Sequence, residues 1–365
     1  MTTTDLSRTT VEAPADPRRW WALAAVATLQ LMVGLDLTIM NIALPSAQRD
    51  LGFADADRQW VITAFALGYG SLLLVGGRVS EAMGRRRALL VGAAGFAAAS
   101  VAGGLAGDTG VLLATRAAQG AFGALMTPSV LATLSTTFPA PPERGKAFGV
   151  YGTVMGSSSG LGLLLGGLLT QYLDWRWCMF VNVVVAAVAV GLTVYAVRPV
   201  SPVRRPLDLP GALLASLGLV ALVYGFARAE TDGWGAGVTV GALVVGAALL
   251  VGFVAVEARV ASPLLPLRVV RDRHRGGSYL AVLSLAVGMF AALFFLTFYL
   301  QDVRGWSPVR TGLGFLPLTV GLMAGVRFVS PRLARPSAVL LIPSGLLVIA
   351  AGLALLGLLH ADSGY

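Results

Sequence analysis

Eleven apolar stretches of about 17–25 residues each run almost end to end through this chain, at 20–44, 60–77, 88–106, 112–136, 147–170, 178–197, 209–228, 236–256, 277–300, 311–329 and 338–359. A helix rises about 1.5 Å per residue, so each stretch is long enough to cross the roughly 30 Å hydrocarbon core of a bilayer. Inside that core every backbone polar group must be satisfied within the segment, which predicts an all-α integral membrane protein with about eleven transmembrane helices. Charged residues make up 12% of the chain. A soluble domain carries about 25%, so this chain has too little polar surface to wrap a water-soluble globule of its length. The 45 glycines suit the same setting, because glycine weakens soluble helices but lets membrane helices approach closely.

The connections alternate in charge. With the N-terminus inside, the inner segments hold Arg8, Arg18, Arg19, Arg78, Arg85, Arg86, Arg87, Arg144, Lys146, Arg198, Arg204, Arg205, Arg259, Arg268, Arg271, Arg273, Arg275, Arg327, Arg332 and Arg335. The outer segments hold only Arg49, Arg58, Arg176, Arg228, Arg304 and Arg310. Cytoplasmic loops are enriched in Lys and Arg, so the contrast predicts a multi-pass protein of the plasma (inner) membrane with a cytoplasmic N-terminus. It also accounts for the formal net charge of +9 without nucleic acid, since these side chains face anionic headgroups. Trp20 and Trp21, beside Arg18 and Arg19, read as an interfacial anchor. Residues 1–17 are polar, include Pro14 and Pro17, and read as a disordered cytoplasmic tail. They are no signal peptide, because the apolar run that follows is too long and no small-residue cleavage site ends it.

The single cysteine, Cys178, and the two histidines, His274 and His360, leave no disulfide framework, thiolate cluster or His-rich metal centre. No metal and no cofactor is implied. A membrane-embedded enzyme would need several His, Asp or Glu near the midplane, and away from their ends the spans offer only Asp36 and Arg116. An ionised side chain there costs about 2.5–3.5 kcal/mol on insertion scales unless paired or hydrated, so function is the default reading. Asp36 lies about two turns, and Arg116 about one turn, from the outer ends of their spans. The two could therefore sit at similar depth, where a pair would offset part of each other's desolvation. Taken alone, Arg116 also fits an arginine snorkelling to the headgroups.

Both residues sit in longer strings. The first span reads Leu35-Asp36-Leu37-Thr38-Ile39-Met40-Asn41-Ile42-Ala43-Leu44-Pro45, and the fourth opens with Arg116, Gln119 and Gly120. Between the second and third spans runs Gly77-Arg78-Val79-Ser80-Glu81-Ala82-Met83-Gly84-Arg85-Arg86-Arg87, where two glycines would turn the chain tightly at the membrane surface. The fifth span carries Gly152, Gly156 and Gly160 at four-residue spacing, then Gly162, Gly166 and Gly167. Four-residue spacing puts small residues on one face for close helix contact.

Together these strings resemble the major facilitator superfamily, and the first one resembles its 14-helix drug/proton antiporter branch. The loop resembles the superfamily's G-x-L-A-D-R-x-G-R-R signature, with Glu81 for Asp and Ala82 for the usual basic residue. Arg116-x-x-Gln119-Gly120 resembles its fourth-helix R-x-x-Q-G. The fifth-span glycines are similar to the antiporter G-P-x-x-G-G motif, with Leu163 where proline is usual and Ser158 replacing an upstream glycine. Asp174 to Val183 resembles W-R-W-x-F-x-x-N-x-P, with Val184 at the proline position. Glu257-x-Arg259 with Pro263 to Leu267 resembles E-x-R…P-L-L-P-L, and Tyr299 to Pro308 resembles Y-L-Q-x-x-x-G-x-S-P.

The resemblance implies a six-helix bundle over 18–198, a linking helix pair and cytoplasmic loop over 199–276, and a partial second bundle of three helices over 277–365. A 14-helix member has six helices after the linking pair, so the chain reads as C-terminally truncated. The implied function is proton-coupled export of amphipathic drugs or antibiotics by alternating access. Asp36, Arg116, Asn41 and Gln119 would serve coupling and substrate, with Arg116 acting on Asp36 by charge proximity. Gly77, Glu81, Gly84, Arg85 and Arg86 would form a gating loop. Gly152, Gly156, Gly162, Gly166 and Gly167 would seal the cavity. The partners would be a small amphipathic substrate, protons and the lipid bilayer, with the proton gradient as energy source. A transport-inactive truncated membrane protein and a permease for another small metabolite are the alternatives. Substrate identity and oligomeric state are not written in the sequence.

Overall fold

The computed structural model of the protein describes residues 17–202, 208–260, 262–325 and 338–357. The expected tail over 1–17, apart from Pro17, lies outside these residues, as do Arg8, Arg204, Arg205, Arg327, Arg332, Arg335 and His360. All regular structure among the described residues is helical. The elements are α1 (Arg19–Leu51), α2 (Asp55–Met83), α3 (Arg85–Gly104), α4 (Thr109–Thr137), α5 (Pro141–Tyr172), α6 (Trp177–Ala196), α7 (Leu209–Asp232) and α8 (Gly237–Glu257). Then come α9 (Leu267–Arg271), α10 (Arg273–Phe298), a π-helical turn (Tyr299–Val303), α11 (Pro308–Gly314), α12 (Leu316–Ala324) and α13 (Ala338–Leu356). Among the described residues, helices occupy each of the eleven apolar stretches. Seven of them, α1, α2, α3, α5, α6, α7 and α8, are by length and composition apolar enough to cross a membrane. The 29-residue α4 falls outside that set, since Arg116, Gln119 and a series of Ser and Thr lower its hydropathy.

Three boundaries differ from the sequence expectation. First, α1 continues past Pro45 to Leu51 and ends at Gly52, whose φ of 69° lets its N–H reach the Gln48 carbonyl at 2.8 Å. Proline removes one backbone bond, and a packed membrane helix tolerates that loss. Second, the stretch 77–87 is no extended loop. Gly77 lies inside α2, and the chain turns at Gly84 alone, with φ 88° and ψ 135°. Third, the stretch 311–329 breaks at Phe315 into α11 and α12. Pro317 explains this, because its ring cannot accept a continuous helix through the preceding turn.

In the packing of α1–α6, α2 lies along α4, α1 along α5 and α6, and α3 along α4 and α6, while α1 also crosses α4. This pattern maps onto itself when α1, α2 and α3 exchange with α4, α5 and α6, the signature of a repeated three-helix unit. The two matched pairs are held by small residues. On α2–α4, a Cβ at Gly68 or Gly76 would lie 2.2 or 2.3 Å from the carbonyl of Ala117 or Ala124, and one at Gly120 would lie 2.2 Å from that of Phe65. On α1–α5 the stripe is Ser158, Gly162 and Gly166, facing Gly34, Thr38 and Ile39. Gly152, expected on that contact face, has nothing within 4 Å, and Gly167 instead faces Val309 of α11.

The pair α7–α8 interlocks Gly218 with Leu250, Gly225 with Leu243, and Gly246 with Leu222. It rests on α2, where the Ser216 hydroxyl donates to the Ser71 carbonyl at 2.8 Å and Trp60 meets Tyr224 at 5.6 Å. Much of α8 is exposed Val, including Val244, Val245 and Val251, as a lipid-facing helix requires. Trp20 and Trp21 are likewise exposed, and the Arg18 guanidinium lies 4.8 Å from the Tyr195 ring centre.

Candidate functional site

One group of buried polar residues converges at the α1–α4 crossing. Asp36 is 0% exposed and Arg116 is 1% exposed, and the Arg116 Nη1 donates to Asp36 Oδ2 in a closed ion pair. The same Nη1 donates to Gln119 Oε1 at 2.8 Å, and Nε reaches the Val61 carbonyl at 3.3 Å. The guanidinium carbon lies 4.7 Å from the Phe65 ring centre, a cation–π contact on its remaining side. Gln119 Nε2 donates to Asp36 Oδ1 at 3.1 Å and to Ser100 Oγ at 2.7 Å. Asn182 Nδ2 donates to Asp36 Oδ1 at 2.7 Å.

Five helices therefore supply the site: α1, α2, α3, α4 and α6. Gly120 explains how α2 comes close enough. Without a Cβ it lets the Phe65 backbone rest on α4, which brings Phe65 and the Val61 carbonyl against Arg116. The network sits nearer the end of the bundle opposite the N-terminus. Ser100 is four residues before the end of α3, Asn182 five after the start of α6, and Arg116 seven after the start of α4. A buried pair is held in place only when its remaining donors and acceptors are also satisfied; both Asp36 oxygens accept hydrogen bonds here, and Arg116 Nε and Nη1 both have partners.

The structure thus brings Asp36, Arg116 and Gln119 together. Asn41 stands apart from them, exposed, and its Nδ2 donates back to the Leu37 carbonyl at 3.0 Å. Ser100, Phe65 and Asn182 are site residues that sequence reasoning did not assign. Asn182 carried a usable signal, being the one amide in an otherwise apolar α6. The Val61 carbonyl carried none.

The residues expected as a gating loop are dispersed over the end of the bundle that bears the N-terminus. Glu81 pairs with Arg78 at 3.3 Å and is half exposed. Arg78 also donates to the carbonyls of Ser262 and Pro263, at 3.2 and 2.5 Å. Arg85 donates to Thr136 Oγ1 at 2.9 Å, and Arg86 donates to the Val194 carbonyl at 2.9 Å. A cavity of about 1040 Å³ opens here, lined by Arg78, Glu81, Thr127, Pro128, Glu257 and Leu264 among others. Glu257 accepts from the amides of Leu264 and Leu265 at 3.1 and 3.0 Å, which fixes the connection that Arg78 grips. At the opposite end, Asp50 takes both Arg176 and the Trp175 indole N–H, the latter at 3.0 Å.

Membrane-length helices closed around a buried charged network define a multi-pass membrane protein. The chain belongs to the Major Facilitator Superfamily, whose family model matches residues 26–365. It is 52% identical to the puromycin resistance protein pur8 of Streptomyces alboniger, over 98% of this chain and 72% of that protein. It is 37% identical to a tetracenomycin C resistance and export protein of Streptomyces glaucescens, over 95% of this chain and 65% of that one. Among solved structures it resembles a peptide transporter, POT, in complex with sulfate. The TM-score is 0.57 at 15% identity, covering 88% of this chain and 69% of that one, a likeness of fold alone.

Proposed function

We propose that this protein is a proton-coupled exporter of amphipathic drugs or antibiotics, working by alternating access in the plasma membrane with its N-terminus in the cytoplasm. The observation that carries this reading is the Asp36–Arg116 pair, closed off from water inside the bundle. Names of relatives as resistance and export proteins support the direction and the substrate class. In the proposed cycle, Asp36 binds a proton when the bundle opens and releases it when a cationic or amphipathic substrate favours the ionised state. Linkage then couples the two fluxes. Protonation cancels the attraction to Arg116, which keeps Gln119 Oε1, the Val61 carbonyl and the Phe65 ring. The α1–α4 crossing is the element that loosens.

In this scheme α1–α6 form the first bundle (18–198), α7–α8 with their loop link it onward (199–276), and 277–365 begin the second. The α5 face that includes Gly162 and Gly166 seals the cavity, and Gly77, Glu81, Gly84, Arg85 and Arg86 close the cytoplasmic side. The whole network lies within α1–α6. The test is puromycin accumulation by inside-out vesicles bearing the full chain under an imposed pH gradient. Accumulation by the wild type that collapses with the gradient and is lost in Asp36→Asn supports the reading. Undiminished gradient-driven accumulation by Asp36→Asn overturns it.

A further inference from the structure

The proposed cycle needs a protonated Asp36, and a buried carboxylic acid needs an acceptor for its O–H. Arg116 has no acceptor to offer. The Gln119 carbonyl oxygen accepts from Arg116, so turning that amide over would set its NH2 against the guanidinium, and the Ser100 hydroxyl is bonded to Gln119 rather than to Asp36. Asn182 differs. Its Nδ2 donates to Asp36 Oδ1 while its own Oδ1, fully buried, has no partner. Among the described residues it is the one side-chain amide donating to Asp36 whose own oxygen has no hydrogen-bond partner.

We infer that Asn182 is a positioning residue that serves both protonation states of Asp36 by turning its side-chain amide over. This rests on the proton-coupling reading above. With Asp36 ionised, Nδ2 donates to Asp36 Oδ1, as in this structure. One proton arriving from water forms a single O–H bond at Asp36 Oδ1 and takes the carboxylate from −1 to neutral. The amide then rotates about Cβ–Cγ, and its Oδ1 accepts that O–H. On release the proton returns to water and the amide turns back. The other donors keep partners throughout, Arg116 through Gln119 and the Val61 carbonyl, and Gln119 through Ser100. The charged partner of Asp36 is Arg116 from α4, and the Cys178 thiol stands one turn before Asn182 on α6. From α2, α3 and α5 come the Val61 carbonyl, Phe65, Ser100 and Gly162, none of them titratable.

The chain has two asparagines, Asn41 and Asn182, which makes the test direct. Full-length protein is labelled with ¹⁵N on the asparagine side chains, reconstituted in lipid nanodiscs and titrated with acid. Asn41→Gln identifies the Asn182 signal. A parallel infrared titration follows the Asp36 carboxyl band, identified by its loss in Asp36→Asn. The inference predicts that the Asn182 amide signal shifts with the same midpoint as the Asp36 band, and that Asp36→Asn freezes it. It also predicts that Asn182→Leu moves the Asp36 band to the higher wavenumber of an unbonded acid, while Asn182→Ser, whose hydroxyl donates or accepts, restores it. An Asn182 signal that stays put while Asp36 protonates overturns the inference and leaves the coupling reading standing. If no Asp36 band emerges at any pH that the folded protein survives, the coupling reading falls, and this inference with it.

Discussion

Gly120 of α4 rests on the backbone of α2 so closely that a Cβ there would lie 2.2 Å from the Phe65 carbonyl oxygen. That contact is neither a turn nor a flexible joint. It is the absence of a side chain that lets α2 deliver Phe65 and the Val61 carbonyl to Arg116. Gly120→Val should therefore force the helices apart, destabilising the protein by about 1–3 kcal/mol as overpacking does and displacing Arg116 with it. Thermal unfolding in nanodiscs reads the first effect and vesicle export the second. Gly152→Ala is the control: nothing lies within 4 Å of the added methyl, so stability should hold or rise slightly.

Breaking the central pair should cost more than removing it whole. With both members essentially unexposed, Arg116→Leu strands a buried carboxylate, a loss of about 3–5 kcal/mol. The double variant Asp36→Asn with Arg116→Gln carries no buried charge and should recover most of that stability, yet remain unable to export against a pH gradient. Chemical unfolding of the single and double variants checks the non-additivity. Additive losses would mean that the two side chains are not energetically coupled.

At the other end of the bundle, Glu257 should govern how firmly the connection after α8 is held. Its carboxylate takes the amides of Leu264 and Leu265, and charge-assisted bonds of this kind contribute about 1.5–3 kcal/mol each. Glu257→Gln should speed hydrogen exchange at those two amides selectively. Arg78→Gln, which releases the Ser262 and Pro263 carbonyls, should raise exchange across the same connection without touching the Asp36 network.

Much of this was legible in the sequence, and the rest was hidden for physical reasons. Asp36, Arg116 and Gln119 declared themselves because ionised and amide groups are costly inside a span, so few are there by chance. The same logic pointed to Asn41, but a side chain can turn back to its own helix, as Asn41 does on Leu37, and only the packed structure says which face meets a neighbour. Asn182 was visible within its tryptophan-rich string, yet its role depends on α6 facing α1, a long-range fact. The α5 glycines show the same limit. Spacing identified a close-contact helix, but the phase that selects Ser158, Gly162 and Gly166 over Gly152 is set by α1. The Val61 carbonyl is backbone, which no residue pattern announces.

The measurement that tests the central claim most directly is proton release on drug binding by solubilised protein in weakly buffered solution, with puromycin as the probe. Wild-type protein that binds puromycin should release protons as it does so, and Asp36→Asn should bind without releasing any. Equal proton release from Asp36→Asn would contradict the account, because the exchanged proton would then belong to another group.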